Sequence, residues 1–538
     1  MKGDSVVKEI QMKNFRSLKD TGMQTLSPIT LLVGENSSGK STFLRAFPLL
    51  KQSISKKTSG PILWAGDVDD YVDFGSFEET VTNDKSNNIV FCFKFQLNID
   101  NNSRMYRFYD DYSEITRNKT KGTANVVYEI TITSLKGKEY VSHLSLDINT
   151  THIDVDLDNN SIIMDSGFAY KETDLAAEVD EVLASRRIPF RRYWVGSRSF
   201  GFTLPDIDKL PRRIYHMLPD DRKERVDPFM IRDFIPQIGL LLTNAEEISL
   251  LSSKTIKQKK VPESYANLYN GIVSAIQNDV SGELREIAKL VAIYDIFPTI
   301  DDYINSYFKQ VHYIAPLRAT AERYYRLRNL AVDEVDYQGK NLPIFINSLT
   351  KKQLEEFQLW TDEHFGFVVN TDKSKGHLSL QIKLHGSDKS INLSDTGFGY
   401  SQVLPIITQL WELSSRKRNT SQAYVERTQR IPLVIAIEQP ELHLHPAIQA
   451  KLANAFIACI DLAHKNKCEL QLLIETHSET IVNYFGRAIA RNKLKPEDVS
   501  VILFEKNAGD SVTTVHNSSY DSDGFLTNWP YGFFDSED

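Results

Sequence analysis

A segment near the start of the chain, GENSSGKST at residues 34–42, has the residue types and spacing of a loop that binds phosphate. Its two glycines allow the backbone to approach phosphate oxygens closely, so that successive N–H groups can point at them. Lys40 would place a positive charge at the β and γ phosphates, and the Ser41 hydroxyl would be a ligand of Mg²⁺. The segment therefore predicts a MgATP site formed by Gly34, Glu35, Asn36, Ser37, Ser38, Gly39, Lys40, Ser41 and Thr42.

The residues on either side of this segment provide the frame that such a loop needs. PITLLV, residues 28–33, is an apolar run of strand length, and the residues after Thr42 have helical spacing. A helix that begins at the loop adds its positive N-terminal dipole to the phosphate site. A glycine- and serine-rich turn that binds nothing is the alternative, and the strand and helix around the segment argue against it.

A second apolar strand ends in a carboxylate. IPLVIAI, residues 431–437, is followed by Glu438, and a P-loop needs an acid at the end of a neighbouring buried strand to hold Mg²⁺. We therefore predict Glu438 as a magnesium partner through water and as a member of the catalytic set. Gln439 follows at the position where a carboxylate usually polarises the attacking water. An amide orients water but cannot accept its proton, so slow hydrolysis is expected. Glu441 is near enough to substitute, although a charged residue just past a strand is more often solvated.

Three histidines follow these strands, His443, His445 and His477. Their composition suits a zinc site. However, two rings at alternate positions of an extended loop would point to opposite sides, and no cysteine accompanies them, so we favour no structural zinc. His477 follows the apolar strand LQLLIE within ETHSET, and its imidazole is predicted to donate a hydrogen bond to the γ phosphate as part of the catalytic set. A buried histidine bonded to backbone is the alternative.

Regions of different periodicity must position these residues. Short alternating segments between residues 88 and 157 predict an antiparallel sheet, and helical spacing extends from about residue 172 to 306. Farther along, apolar strands at 432–437 and 470–475 flank one helix. Two buried strands with a helix between them form a βαβ unit with parallel strands. The predicted fold class is therefore α/β.

Composition and charge narrow the class of protein. The chain has 538 residues, 41% of them hydrophobic, and a formal net charge of -8, so it can bury large cores but has no whole-chain positive field for nucleic acid. Its three cysteines are too few for a disulfide framework. The opening residues are charged where a secretory signal needs an apolar stretch, and no apolar run reaches membrane-spanning length. These features predict a cytoplasmic protein.

Arginines form a further candidate surface. SRRIPFRRYWVGSR, residues 185–198, combines guanidinium groups with aromatic rings, a composition that suits single-stranded nucleic acid. A protein interface or a solvated face is a more common use of paired arginines. Elsewhere, Arg318 and Arg323 could contact phosphates or pair with acidic residues. These alternatives stay open at the level of sequence.

Taken together, the motifs resemble the ABC-head AAA ATPases of the OLD-like, SMC-like group. The opening residues 10–42 resemble the first strands and Walker A motif, EQPELHLHP (438–446) the Walker B motif and D-loop, and ETHSE (475–479) the H-loop. LSDTGFGYSQVLPII (393–407) occupies the place of the ABC signature. In such ATPases the signature contacts the γ phosphate bound to the opposite subunit, so that ATP joins two heads. The resemblance therefore adds four residues to the nucleotide site, namely Gly397, Gly399, Ser401 and, in the D-loop, His445.

The resemblance also implies an architecture, an ABC-type head with a mixed or parallel sheet bearing the P-loop, an antiparallel β part and a helical insertion. We expect the N-terminal half of the head at residues 1–80, the antiparallel part at 81–170, the insertion at 171–305 and the C-terminal half at 306–538. OLD nucleases continue after the H-loop into a Toprim domain, and the stretch that follows His477 is too short for one.

Within this group, a head of this length with no nuclease of its own and with the tail WPYGFF (529–534) is similar to Septu-type defence ATPases (PtuA-like). Those ATPases act beside a separate HNH nuclease, and related ones occur in some retron systems. This resemblance implies an enzyme that hydrolyses ATP with Mg²⁺ and forms a head dimer or higher homo-oligomer. It also implies an HNH-type nuclease as partner and, in a retron, a reverse transcriptase with its msDNA or another nucleic acid. The alternative is a RecF-like or SMC-like ATPase of DNA repair or recombination that acts directly on DNA.

Overall fold

The computed structural model describes most of the chain outside the central region, and the residues that it describes are 7–56, 58–67, 70–82, 87–99, 122–159, 161–167, 169–171, 242–243, 263–326, 332, 334–374, 376–416, 431–506 and 512–530. The arginine-rich segment 185–198 and much of the predicted helical insertion lie outside these residues. Within the described ranges the chain forms three sheets with flanking helices, which confirms the predicted α/β class.

A mixed sheet of seven strands carries the phosphate-binding loop. In spatial order its strands, numbered along the chain, are β11 (Val311–Ile314), β16 (Leu433–Glu438), β17 (Leu470–Glu475), β4 (Ile29–Gly34), β18 (Val499–Glu505), β19 (Thr514–Tyr520) and β20 (Leu526–Thr527). The first five strands are parallel and the last two pair antiparallel. Both faces of this sheet are buried, since Leu31 and Leu32 of β4 belong to different hydrophobic cores.

The second sheet is antiparallel and has nine strands. These strands are β1 (Val7–Phe15), β2 (Leu18–Asp20), β3 (Gln24–Thr25), β5 (Asn88–Ile99), β6 (Gly122–Leu135), β7 (Lys138–Ile148), β8 (Thr151–Asp156), β9 (Ser161–Met164) and β10 (Ala169–Lys171). The antiparallel sheet predicted between residues 88 and 157 is present. It also takes in β1 to β3, because β1 pairs with β5 along its length.

A small third sheet and the helices complete the described structure. The sheet contains β12 (Tyr325–Arg326), β13 (Phe367–Ser374), β14 (His377–Leu384) and β15 (Ser390–Asn392). The helices, again numbered along the chain, are α1 (Lys40–Ser55), α2 (Phe77–Thr80), α3 (Glu263–Asn278), α4 (Glu283–Lys309), α5 (Leu342–Ser348), α6 (Lys351–Phe365), α7 (Phe398–Ser415), α8 (Pro446–Lys465) and α9 (Glu479–Ala490), with 3-10 turns at Leu393–Asp395 and Pro496–Asp498. The predicted βαβ unit is confirmed as β16, α8 and the parallel strand β17.

Helix α4 packs between the antiparallel sheet and α1. Its Tyr303 stacks on Phe95 of β5 with ring centroids 4.5 Å apart, and its Phe308 contacts Phe93 at 5.4 Å and Phe47 of α1 at 6.0 Å. Buried aromatic pairs of this kind each contribute about 0.5–1.5 kcal/mol beyond their area. The aromatic side chains of α4 thus hold α1, which begins at the phosphate loop, against the antiparallel sheet. The boundary expected at residue 305 falls inside α4, which continues to Lys309.

None of the helices in the described part of the chain is both long enough and apolar enough to cross a membrane.

Candidate nucleotide-binding site

The predicted phosphate-binding loop connects the end of β4 to the start of α1, so the expected order of strand, loop and helix is present. Gly39 directly precedes α1 and has a φ of 98°, a backbone conformation that glycine adopts without strain. A Cβ at this position would lie 2.9 Å from Ser17 Oγ, which is too close. No described side chain caps α1, and its first backbone N–H groups are therefore left for an anion.

A cavity of about 160 Å³ lies over this loop. One water needs only about 15 Å³, so the cavity has room for phosphate groups. Its walls are formed by Ser17, Asn36, Ser37, Ser38, Gly39, Lys40, Ser41, Thr42, Gln439, Glu475 and His477. Folding therefore brings the loop together with Gln439 and His477, two residues of the predicted catalytic set. Ser17 and Glu475 were not predicted.

Lys40 is buried at the base of the loop. Its Nζ donates a hydrogen bond to the carbonyl of Gly34 at 2.9 Å and another to the carbonyl of Glu35. Burial lowers the pKa of Lys40, and the nearby carboxylates of Glu475 and Glu441 partly oppose that effect. The ammonium group is thus held by neutral acceptors, and a phosphate anion would make stronger, charge-assisted bonds with it.

Glu475, the last residue of β17, places a carboxylate in the cavity. Ser41 Oγ donates to Glu475 Oε1 at 2.8 Å, whereas Oε2 is buried and has no hydrogen-bond partner among the described residues. Burial raises the pKa of Glu475 to about 7, and the Glu438 carboxylate contributes to the rise. The sequence carried a signal for this residue, since Glu475 ends the apolar run LQLLIE just as Glu438 ends its own strand.

Glu438 lies beside Glu475 in register on the neighbouring strand, but it does not line the cavity. Arg45 donates to both of its oxygens, from Nε to Oε1 at 2.6 Å and from Nη2 to Oε2 at 2.7 Å. The Tyr313 hydroxyl also donates to Oε1, at 2.7 Å. The hydrogen bond to Glu438 raises the pKa of Arg45. Glu438 is therefore buried, with both oxygens accepting from the Arg45 guanidinium, and its role at magnesium stays a prediction.

The backbone turns sharply after β16, where Gln439 has a φ of 43°. The Gln439 N–H donates to the carbonyl of Glu475 at 2.9 Å, and its side chain lines the cavity.

Arg318 stabilises the turn after β16, because its Nη2 donates to the carbonyls of Glu438 at 2.9 Å and of Gln439 at 3.2 Å. Burial lowers the pKa of Arg318 to about 10. Arg323, in contrast, pairs with an acidic residue, Asp395, at the surface.

Glu441 connects the turn after β16 to the loop after β17. It accepts hydrogen bonds from Thr476 Oγ1 at 2.9 Å and from the His477 N–H at 2.7 Å. The interpretation of Glu441 as a solvated side chain is wrong, because these two donors hold its carboxylate.

The alternative of a buried His477 bonded to backbone is wrong, since His477 is exposed and lines the cavity. Partial burial and the charge of Lys40 lower the pKa of His477, so its imidazole is neutral near pH 7 and keeps one N–H donor.

The signature-like residues lie outside the cavity. Gly397 directly precedes α7 with φ 80° and ψ 166°, a conformation that is essentially restricted to glycine. A Cβ on Gly397 would meet no described atom within 4 Å, so the start of α7 faces open space. Ser401, one turn into the helix, is buried. Within one chain, the signature-like residues therefore do not line the cavity that contains Lys40.

The turn before α8 packs beside this signature-like loop. A Cβ on Gly399 would lie 3.8 Å from the carbonyl oxygen of His443. His445 caps α8, with its Nδ1 accepting from the Ala447 N–H at 3.2 Å, and it too lies outside the cavity. Across the residues that the structure describes, no group of three or more His, Cys, Asp or Glu side chains could hold a metal ion.

The fold and the site together define a P-loop protein, in which an uncapped helix follows a glycine-rich loop and carboxylates end the neighbouring parallel strands. The chain belongs to the AAA ATPase domain family, whose model matches residues 6–482. Membership of this family implies ATP binding, usually with Mg²⁺. A second family model, described as a protein of unknown function (DUF3696), matches residues 494–538.

A comparison with solved structures matched SMC heads. One is the crystal structure of the SMC head bound to the C-terminal winged-helix domain of ScpA, with 11% identity, a TM-score of 0.32, and coverage of 96% of this chain and 98% of that chain. Another is the SMC head domain from Thermotoga maritima, with 10% identity, a TM-score of 0.29, and coverage of 95% and 98%. A comparison with curated proteins found no match.

Proposed function

We propose that the chain is an ATP-hydrolysing switch of bacterial anti-phage defence. ATP joins two copies of the head, and the state of the pair licenses or restrains a separate HNH-type nuclease. The observation that carries the proposal is that the residues predicted to bind one nucleotide lie in two separate places of the chain. The cavity contains Lys40, Gln439 and His477, whereas the signature-like Gly397 and Gly399 lie outside it.

This division supports a nucleotide shared between two copies. A nucleotide in the cavity contacts the phosphate loop of one chain only, so the signature-like half of its contacts comes from another chain. The start of α7 suits that role because Gly397 leaves open space before an uncapped helix N-terminus, to which an anion on a second copy can approach.

The residues of the cavity support slow turnover. Lys40 and the loop N–H groups bind phosphate, and the neutral imidazole of His477 can donate a hydrogen bond to the γ phosphate. Gln439 orients the attacking water without removing its proton. Mg²⁺, when bound with ATP, would neutralise charge on the phosphates, with Ser41 and Glu438 as predicted partners. A slow step of this kind prolongs the closed state, as a switch requires.

The identity of the partner rests on sequence resemblance. The tail segment WPYGFF, residues 529–534 of this ABC-type head, resembles that of Septu-type ATPases, which act beside an HNH nuclease. In a retron setting the assembly would also contain a reverse transcriptase with its msDNA.

Mass and nuclease activity test the proposal together. With MgATP, the full chain is expected to double in mass by sedimentation, and Lys40→Ala to remain at the mass of the nucleotide-free chain. Cleavage by the proposed HNH-type partner nuclease should depend on ATP in the presence of wild type and not in the presence of Lys40→Ala. An unchanged mass, or a nuclease rate indifferent to both ATP and Lys40, would refute the switch. ATPase activity stimulated by duplex DNA, with salt-dependent DNA binding by the isolated chain, would favour the RecF-like alternative.

A further inference from the structure

Two oxygen atoms of the kind that Mg²⁺ prefers lie side by side in the cavity. Ser41 Oγ, in the first turn of α1, is 2.8 Å from Glu475 Oε1, at the end of β17. Since β17 is hydrogen-bonded directly to the loop strand β4, no other strand separates Glu475 from the phosphate loop. Their proximity is thus built into the sheet order.

The spacing of this pair suits a shared metal ion. Mg²⁺ binds oxygens at about 2.0–2.1 Å in an octahedron, so two adjacent ligands lie about 2.9 Å apart. Glu475 is only 1% exposed, and its second oxygen, Oε2, is buried without a hydrogen-bond partner in the described structure. A buried carboxylate oxygen in this condition is costly unless something else binds it.

The neighbouring carboxylate, that of Glu438, already has hydrogen-bond donors on both oxygens. Both oxygens of Glu438 accept hydrogen bonds from Arg45, and Tyr313 donates to one of them as well. Oε1 of Glu438 thus already accepts two hydrogen bonds and Oε2 one from a guanidinium, so a metal ion would compete with bonds between charged groups, which are the stronger kind. Glu438 also does not line the cavity, whereas Glu475 does.

We propose that Glu475 is the protein carboxylate that contacts Mg²⁺ directly beside Ser41, while Arg45 keeps Glu438 in a supporting position. The inference deepens the proposed function in one respect, since it requires that the cavity binds MgATP. The competing interpretation is structural, with Glu475 serving only to hold the Ser41 hydroxyl.

Manganese binding distinguishes these interpretations without relying on catalysis. Mn²⁺ replaces Mg²⁺, and electron paramagnetic resonance of the free ion reports its affinity for the complex of the full chain with ADP. ADP affinity is measured separately in EDTA. Glu475→Gln keeps the size of the side chain and an oxygen that can accept from Ser41, and Glu438→Gln is the matched control.

We expect Glu475→Gln to weaken Mn²⁺ binding roughly tenfold or more while ADP affinity in EDTA stays within about twofold of wild type. We expect a smaller loss of Mn²⁺ affinity in Glu438→Gln. Glu475→Asp, which retains a shorter carboxylate, should lie between wild type and Glu475→Gln, and it replaces Glu475→Gln if that variant does not fold. Wild-type Mn²⁺ affinity in the folded Glu475 variant, or a larger loss in Glu438→Gln, would overturn the inference. A wild-type chain that binds no nucleotide would instead overturn the proposed function.

Discussion

Arg45 of α1 and Glu438 of β16 form an ion pair with two hydrogen bonds, at 2.6 and 2.7 Å. The pair ties the helix that begins at the phosphate loop to the strand that ends beside the cavity. It also gives two adjacent carboxylates different surroundings, because Glu438 is neutralised by a guanidinium and Glu475 is bonded to the Ser41 hydroxyl.

Removal of Arg45 should destabilise the fold. The Glu438 side chain is 2% exposed, and Arg45→Ala would leave its charge buried with Tyr313 as the remaining side-chain donor. Breaking a buried pair costs about 3–5 kcal/mol, and we expect about 2 kcal/mol here because the Arg45 side chain is 39% exposed. Urea unfolding measures this loss. Arg323→Ala is the matched control, since its pair with Asp395 is exposed and should contribute less than about 1 kcal/mol. Equal effects of the two substitutions would count against the account.

Lys40 should govern nucleotide affinity and leave the fold intact. Its ammonium group bonds to two loop carbonyls that a phosphate would replace, so Lys40→Ala removes a charge-assisted contact to the ligand. We expect ATP to bind about a hundredfold more weakly, equivalent to about 2.7 kcal/mol, by isothermal titration. Lys352→Ala, on the exposed face of α6, is the control and should bind as wild type. Unchanged affinity in Lys40→Ala would place ATP elsewhere.

Gln439 should limit the rate of hydrolysis. Its side chain lines the cavity, and Gln439→Glu would supply a proton acceptor of nearly the same size. General bases contribute about 100-fold or more, so we expect turnover of ATP to rise by about that factor in steady-state phosphate release. Gln439→Ala is the comparison and should not exceed wild type. If Gln439→Glu hydrolyses ATP at the wild-type rate, proton removal at this position is not limiting.

His312 should make the fold less stable in mild acid. Burial lowers the pKa of His312 below its usual 6.5, although its Nδ1 lies 3.0 Å from a Glu334 carboxylate oxygen and that partner opposes the shift. A histidine pKa that is lower in the folded chain contributes stability above 6.5, and this stability is lost as the pH falls below that value. Glu334 titrates at a much lower pH, because the hydrogen bond with His312 lowers the pKa of Glu334 to about 2.

Unfolding by urea at about pH 7.5 and about pH 5.5 measures this effect. His312→Asn keeps a side-chain donor for Glu334 and has no group that titrates in this range. We expect wild type to lose more stability than His312→Asn between these two pH values. A parallel decline of both proteins would assign the pH dependence to other groups.

The sequence predicted the parts of the site that are local in the chain. The glycine-rich loop, the strand before it and the helix after it lie within consecutive residues, so their spacing alone specified how they fold. Gln439 and His477 both line the cavity, and each lies within two residues of the end of an apolar strand of the parallel βαβ unit.

The missed features depend on long-range order. Ser41 and Glu475 are 434 positions apart, and their contact exists only because β17 lies next to β4, an order that the periodicity of neither strand encodes. Likewise, the pairing of β1 with β5 places Val7 opposite Phe95 and brings the first strands into the antiparallel sheet. Local patterns identify strands, but the order of strands follows from packing of the whole chain.

A mixing experiment tests the shared nucleotide site most directly. Lys40→Ala has a defective phosphate loop, and Gly399→Asp puts a negative charge on the signature-like loop, where a Cβ would lie no closer than 3.8 Å to a described atom and so fits without a clash. Each variant alone should fail to dimerise with MgATP in sedimentation. Their mixture should form dimers with one intact site, made from the loop of one chain and the signature of the other. A mixture that stays monomeric while wild type dimerises with MgATP would contradict a site shared between two copies.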